Sequence, residues 1–105
     1  MSVHDKIHSQ VTSAPVILYM KGSPAFPQCG FSSSAVQMLK ACGVDRFQTF
    51  DVLSDPDIRQ GIKEYANWPT IPQLYVNGEF VGGSDIMREM YQSGELQKLL
   101  EVVKA

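Results

Sequence analysis

The chain has 105 residues, of which 44% are apolar and 19% charged, and its formal net charge at pH 7 is −2. This length and composition are typical of one globular domain that buries its own core. The small negative charge gives no electrostatic support for binding nucleic acid or an anionic membrane surface. No apolar stretch approaches the roughly 20 residues that a membrane-spanning helix needs, so we expect neither kind of partner.

The first residues predict a short helix and contain no recognisable targeting signal. They lack the apolar core of a secretory signal and are not rich in arginine, so we expect a cytoplasmic protein. Apolar residues at every fourth position from Val3 to Val11 predict an amphipathic helix that ends before Pro15. His4 and His8 lie one helical turn apart on it, but no carboxylate or cysteine is positioned to complete a metal site, and we interpret them as solvent-facing.

The next elements are a buried strand and a helix that begins near a cysteine. Val16–Met20 is an unbroken β-prone run, which predicts a strand covered on both faces. After a loop rich in glycine and proline, serines in the opening turn and Gly43 at the end predict the bounds of a helix. Cys29 therefore lies at or just before a helix N-terminus. The apolar residues at helical spacing are Phe31, Ala35, Met38, Leu39 and Cys42.

The position of Cys29 favours an ionised sulfur. A thiol there faces unpaired N–H groups and the positive end of the helix dipole, and Lys21 lies eight residues earlier. The thiolate is the form that attacks disulfides and binds soft metals, so the location suits either chemistry. The alternative is a buried structural cysteine. Glycine and proline around Cys29 favour an accessible, functional thiol.

The two cysteines of the chain do not predict a disulfide. If Cys29 and Cys42 lie on one continuous helix, thirteen residues at about 1.5 Å each separate them by roughly 20 Å. A disulfide requires Cα atoms within about 7 Å of each other. We therefore exclude a bridge within the chain and interpret Cys42 as a small core residue.

A second strand and a second helix complete a βαβ unit. Residues 46–52 alternate apolar and polar side chains, and the order strand, helix, strand predicts parallel pairing. Residues 54–57 combine a capping side chain, a proline at the first helical position and negative charge in the first turn, which predicts a helix start. Ile58, Ile62 and Tyr65 are expected on the inner face of this helix.

The last third of the chain predicts a hairpin and two helices. Two prolines in residues 67–73 prevent a helix or an ordinary ladder strand. Gln73–Val76 and residues 79–81 then predict a hairpin around Asn77-Gly78, a pair typical of a type I′ turn. Ser84 or Asp85 is expected to cap the next helix. The expected inner faces are Ile86, Met90 and in addition Met87 for this helix, and Leu96, Leu99, Leu100 and Val103 for the last one.

Four short motifs make the chain resemble a known family. They are Cys-Gly-Phe-Ser at 29–32, Lys-Gly-Ser-Pro at 21–24, Trp-Pro-Thr-Ile-Pro at 68–72 and Gly-Gly-Ser-Asp at 82–85. One such motif is weak evidence, whereas four in the right order and structural context are strong. Over nearly its whole length the chain is similar to a monothiol glutaredoxin of the Cys-Gly-Phe-Ser class.

The resemblance implies a fold and a cis proline. The fold is α/β and thioredoxin-like, with a four-stranded mixed sheet flanked by helices, and residues 1–105 would form a single glutaredoxin domain. Pro72 would be the cis proline that faces Cys29. It would leave the backbone of Ile71 free for strand-like hydrogen bonds to an extended peptide, here glutathione.

The resemblance also implies that glutathione, with one thiol, two carboxylates and one ammonium, is bound at both of its ends. Gly83 and Ser84 would offer N–H groups at a helix N-terminus to the γ-glutamyl carboxylate. Asp85 would receive the ammonium. Lys21 and Arg59 would bind the glycine carboxylate, although Arg59 without the family match would be interpreted as an ordinary solvated charge.

One residue departs from part of the family. Some members carry a second cysteine directly after the Gly-Gly pair, where this chain has Ser84. No thiol at this position can resolve a disulfide in this chain. Cys29 would therefore depend on glutathione for that step.

Two functions remain open. In the first, the chain carries iron–sulfur clusters, with Cys29 as the metal ligand. A [2Fe–2S] cluster needs four ligands, usually thiolates, so two chains and two glutathiones would supply them. This predicts a cluster-bridged homodimer, and the resemblance implies BolA-type and other iron–sulfur assembly or recipient proteins as partners.

In the second, the chain is a glutathione-dependent thiol–disulfide oxidoreductase with Cys29 as its catalytic nucleophile. Cys29 would attack a glutathionylated protein, and a second glutathione would resolve the mixed disulfide. The class that the chain resembles is usually weak in this activity, and the long loop at residues 22–28 can misplace the incoming glutathione. We rank the carrier first. A redox-inert binding module would need a buried or dispensable Cys29, against which the loop composition argues.

Overall fold

The computed structural model describes residues 2–104, apart from the side chains of residues 102 and 104, and shows an α/β fold. Within this range no helix has both the length and the apolar character needed to cross a bilayer. The elements in chain order are α1 (Val3–Val11), β1 (Val16–Met20), α2 (Gly30–Ala41), β2 (Gln48–Asp51), α3 (Pro56–Ala66), β3 (Gln73–Val76), β4 (Glu79–Gly82), α4 (Ser84–Ser93) and α5 (Glu95–Lys104).

The four strands form one mixed sheet in the order β2-β1-β3-β4. β1 pairs in parallel with β2 and antiparallel with β3, and β3 pairs antiparallel with β4. Asn77 and Gly78 between the last two strands have φ values of 52° and 82°, as the predicted type I′ turn requires. The parallel βαβ unit and the four-stranded mixed sheet are thus confirmed.

Strand β1 lies at the centre of two apolar clusters, one on each face of the sheet. Successive side chains of a strand point to opposite faces. Leu18 packs in the cluster with α2, α4 and α5, whereas Ile17 packs in the cluster with α1 and α3. All five residues of β1 are buried, which confirms a strand covered on both faces. Cys42 is 2% exposed in the first cluster, which confirms it as a core residue.

Three details of the helices differ from the sequence prediction. Phe31 is 59% exposed and does not join the core; it lines the cleft described below instead. Met87 is the fully buried residue of α4, while Ile86 and Met90 are only partly buried. Neither Ser84 nor Asp85 caps α4, since the N-cap is Gly83 and no side chain makes a cap hydrogen bond there.

Candidate functional site

Cys29 is the N-cap of α2, which confirms the predicted position of the thiol at a helix start. Its backbone is extended, with φ −155° and ψ 154°, and the helix begins at the next residue. The sulfur accepts a hydrogen bond from the backbone N–H of Ser32 at 3.3 Å. The side chain is partly exposed. The sulfur can therefore be approached from solvent while it is held by the first turn of the helix.

Ser32 connects this sulfur to the loop before the helix. Its side chain is fully buried, and its Oγ lies 3.3 Å from the sulfur of Cys29. The same oxygen accepts a hydrogen bond from the backbone N–H of Lys21 at 3.0 Å. A hydroxyl has one hydrogen and two lone pairs, so the oxygen that accepts from Lys21 can donate its hydrogen to the sulfur once the sulfur is ionised. Ser32 is thus a donor that is oriented by the loop.

These contacts make Cys29 more acidic than an ordinary cysteine. Burial by itself raises the pKa of the thiol. The hydroxyl and N–H of Ser32, the N–H of Phe31 and the charge of Lys21 outweigh that effect and lower the pKa below its usual value. A larger fraction of thiolate at neutral pH makes the sulfur a better nucleophile and a better ligand for soft metals.

Ser32→Ala is expected to raise the pKa of Cys29, because it removes a donor that stabilises only the charged form. The pH profile for alkylation of the thiol should therefore move to higher pH. At pH 7 the rate should fall about ten-fold, since a hydrogen bond to a charged group is worth about 1.5 kcal/mol or more. Ser33→Ala is the matched control, because the Ser33 hydroxyl contacts Gln37. Superimposable profiles for Ser32→Ala and the wild type would contradict this interpretation.

The loop before Cys29 is closed by its own hydrogen bonds. Gly22 forms a bridge with Pro27, and the N–H of Gln28 donates to the carbonyl of Lys21 at 2.8 Å. Gly22 has φ 88°, and a Cβ there would lie 2.8 Å from the backbone nitrogen of Gln28, so this position requires glycine. Phe26 is 74% exposed on this loop. The loop is therefore an ordered part of the site.

A cleft of about 380 Å³ lies beside the thiol, a volume within the range of small-ligand pockets. It is lined by parts of the lysine loop (residues 21–28, before Cys29), α3, the proline loop (residues 67–72) and the start of α4. Cys29 itself is not among the lining residues, but Phe31, in the first turn of the same helix, is. The structure brings together in this cleft all six residues that the sequence singled out for glutathione, namely Lys21, Arg59, Ile71, Gly83, Ser84 and Asp85.

Sequence reasoning missed five other residues of the cleft as site residues, namely Phe31, Lys63, Trp68, Pro69 and Thr70. Lys63 lies four residues after Arg59 on α3, so helical spacing could have indicated that both cations share one face. The motif of the proline loop was identified from the sequence, but only Ile71 of this loop was assigned to the ligand site. Together with Lys21, the two α3 residues give the cleft three cations.

The start of α4 also lines the cleft. Here Gly83 approaches the proline loop so closely that a Cβ would lie 2.8 Å from Nε1 of Trp68 and 3.3 Å from the carbonyl oxygen of Pro72. The first N–H groups of a helix lack intrahelical partners, and they favour an anion. Among the described residues, the buried Oγ of Ser84 has no hydrogen-bond partner either. Within residues 2–104, Asp85 is the only carboxylate that the cleft lining contains.

A buried glutamine holds the proline loop in place. Gln73 is 0% exposed at the start of β3, after the cis peptide between Ile71 and Pro72. Its Nε2 donates to the carbonyl oxygens of Trp68 and Thr70, both at 3.2 Å. Its Oε1 accepts a hydrogen bond from the hydroxyl of Tyr75 at 3.3 Å. The amide thus fixes one wall of the cleft to the sheet.

Known proteins share both the sequence and the fold. The sequence profile of the family described as Glutaredoxin matches residues 16–81. An uncharacterized monothiol glutaredoxin of Synechocystis is 62% identical over 100 residues, which are 95% of this chain and 92% of the relative. Glutaredoxin 4 of Escherichia coli K12 is 57% identical over 101 residues, which are 96% of this chain and 87% of the relative.

The fold agrees with these relationships. The solution structure of reduced poplar apo GrxS14 has a TM-score of 0.83 and 48% identity to this chain, and the match covers 97% of this chain and 93% of that one. The thioredoxin-like fold is thereby confirmed. Because the profile match spans more than half of the chain and both relatives align along nearly all of it, the chain belongs to the glutaredoxin family, among its monothiol members.

Proposed function

We propose that this chain carries [2Fe–2S] clusters between proteins, with each cluster bridged between two copies by Cys29 and by two glutathione thiolates. The observation that supports this most is the position of an acidic, partly exposed thiol near a cleft that is lined both by three cations and by the N-terminus of α4. That distribution of charge is complementary to glutathione. Its thiol would then lie near the sulfur of Cys29.

The charged and N–H groups that line the cleft are complementary to the groups at the two ends of the tripeptide. The N–H groups of Gly83 and Ser84 would bind the γ-glutamyl carboxylate, and Asp85 would bind the ammonium. Lys21 and Arg59 would bind the glycine carboxylate. The backbone of Ile71 would pair with the extended peptide between them. Lys63 adds a third cation, which would help to offset the negative charge of thiolates gathered around a cluster.

The supply of thiolates explains the second copy. The sequence has two cysteines, and Cys42 is buried at the far end of α2 from Cys29. One chain can therefore present one sulfur at the cleft, whereas a [2Fe–2S] cluster takes four ligands. Two chains and two glutathiones complete the set. Loss of the cluster would remove the bridge, so the dimer should dissociate when the cluster is passed on.

A glutathione-dependent thiol–disulfide oxidoreductase is the second candidate, and the lowered pKa of Cys29 favours it. The Cys29 thiolate would attack the glutathione sulfur of a glutathionylated protein, form a mixed disulfide and release the protein thiolate. A second glutathione thiolate would attack that disulfide, release Cys29 and form oxidised glutathione. Both steps use the same cleft. We expect this activity to be weak beside cluster transfer.

We further propose cytoplasmic location and exchange of the cluster with BolA-type, assembly and recipient proteins. These proposals follow from the family to which the chain belongs. The location is supported by the similarity to glutaredoxin 4 of Escherichia coli, and the partners by the need of any carrier for a donor and an acceptor.

The test is anaerobic reconstitution of the wild-type chain with ferrous iron and sulfide, with and without glutathione. The expected result with glutathione is the visible absorption of a [2Fe–2S] cluster in a dimer with two irons, and a colourless monomer without it. A cluster that forms equally well without glutathione would refute the proposed ligand set. A colourless monomer under both conditions would refute the carrier, and deglutathionylation would then be assayed.

A matched pair of variants tests the cleft itself. Arg59→Gln removes a cation that lines the cleft, whereas Arg88→Gln removes one from α4 that lies outside it. Titration calorimetry with glutathione should show about ten-fold weaker binding for Arg59→Gln, because a charge-assisted hydrogen bond is worth about 1.5 kcal/mol or more. Arg88→Gln should bind like the wild type. Equal effects of the two substitutions would remove the cleft as the binding site.

A further inference from the structure

We propose that Asp51 is a positioning residue for the site: its carboxylate fixes the lysine loop to the end of β2 and so holds Lys21 at the cleft. Asp51 does not line the cleft, and no motif singled it out. Its role in ligand binding rests on the proposed function. Its role in fixing the loop does not.

The carboxylate joins two separate backbone segments. One oxygen of Asp51, Oδ1, accepts the N–H of Gly22 at 2.9 Å and the N–H of Leu53 at 2.9 Å. Leu53 lies two residues beyond the end of β2, and Gly22 belongs to the lysine loop. A single acceptor therefore ties the loop to the turn that leaves the sheet. These bonds lie where β1 and β2 both end, since Asp51, the last residue of β2, is the register partner of Met20, the last residue of β1.

The contact completes a set of hydrogen bonds around Lys21. On one side of Lys21, the carbonyl of Met20 accepts the N–H of Val52 at 3.0 Å. The carbonyl of Lys21 accepts the N–H of Gln28, and the N–H of Lys21 donates to Oγ of Ser32. On the other side, the N–H of Gly22 is held by Asp51. Because the backbone is held before, at and after Lys21, its side chain starts from a fixed point beside the cleft.

The negative charge of Asp51 does not itself help the site to bind its ligand. A carboxylate close to a cleft that collects anions opposes their binding, so a negative charge here lowers affinity. What the loop needs is an oxygen that can accept two N–H groups, and the side-chain carbonyl of asparagine has the same two lone pairs. Asparagine and alanine therefore separate position from charge. Asp51→Asn should keep the loop in place, whereas Asp51→Ala should release it.

The first measurement is backbone amide exchange by NMR, which does not depend on any ligand. In Asp51→Ala we expect faster exchange at Gly22 and Leu53, while β1 stays protected. In Asp51→Asn we expect protection of both amides close to that of the wild type. Asp45→Ala, at an exposed site before β2, is the control for a lost aspartate. Unchanged exchange in Asp51→Ala, or equal loss in both Asp51 variants, would overturn the proposal.

The second measurement is glutathione affinity in a double-mutant cycle with Lys21→Ala. Asp51→Ala should weaken binding about ten-fold, and Asp51→Asn should bind as tightly as the wild type or slightly more tightly. If Asp51 acts through Lys21, Asp51→Ala should reduce the glutathione affinity only slightly in the Lys21→Ala background. If the two substitutions weaken glutathione binding additively, Asp51 does not act through Lys21. If the wild type binds no glutathione, the proposed function fails while the exchange experiment still decides the role of Asp51 in the loop.

Discussion

Cys29→Ser is expected to lose the whole cluster and all exchange of glutathione with disulfides. The hydroxyl of serine is not ionised at neutral pH, and oxygen is a poor ligand for the soft metals that thiolates bind. The fold should survive, because serine is among the preferred helix N-caps and can accept the same N–H of Ser32. Visible absorption after anaerobic reconstitution and the size of the product measure the effect.

Cys42→Ala is the matched control for the loss of a thiol. Cys42 is buried at the other end of α2, and alanine there removes one sulfur atom from the core. It should retain the cluster and the dimer at a modest cost in stability. A coloured dimer from Cys29→Ser would show that the ligand lies elsewhere. A colourless but folded Cys42→Ala would show that the buried thiol takes part after all.

Gln73→Leu is expected to lower the free energy of unfolding by about 3 kcal/mol, since each buried polar group left without a partner costs about 1–3 kcal/mol. The change leaves the buried hydroxyl of Tyr75 without its acceptor and frees the carbonyls of Trp68 and Thr70. Chemical denaturation measures the loss. Glutathione binding should also weaken, because the same carbonyls belong to the wall of the cleft.

Gln97→Leu on α5 is the control for this substitution, because Gln97 is exposed. Surface substitutions of this kind usually change stability by less than about 0.5 kcal/mol. The two variants differ in burial and in hydrogen bonding, while the chemical change is identical. If both lose the same stability, the hydrogen-bond network of Gln73 does not fix the proline loop.

Local signals in the sequence were sufficient for most of the elements. Capping residues, proline and glycine act within a few residues of their own position, so the helix start at Cys29 and the turn at Asn77 could be predicted from neighbours alone. The apolar run of β1 likewise required burial on both faces. These predictions depend on short-range geometry, and the structure confirms them.

Local reasoning failed where a distant segment changes the environment. Ser84 looked like a helix cap, but the N-cap is Gly83, whose close approach to Trp68 on another loop leaves no room for a Cβ. Phe31 fits the apolar spacing of α2, yet it is exposed and lines the cleft. The spacing of residues along a helix shows which face of the helix a side chain lies on, but it does not show whether another segment packs against that face.

The sequence alone determined the chemistry of this protein, because a thiol at a helix N-terminus and the family motifs around it are local features. Only the tertiary structure decided which groups surround that thiol. Lys63 joins Lys21 among the cations of the cleft, and Asp51 holds Gly22 of the lysine loop, through contacts between segments far apart in the chain. Such contacts arise from the pairing of strands and the packing of helices, which no window of neighbouring residues contains.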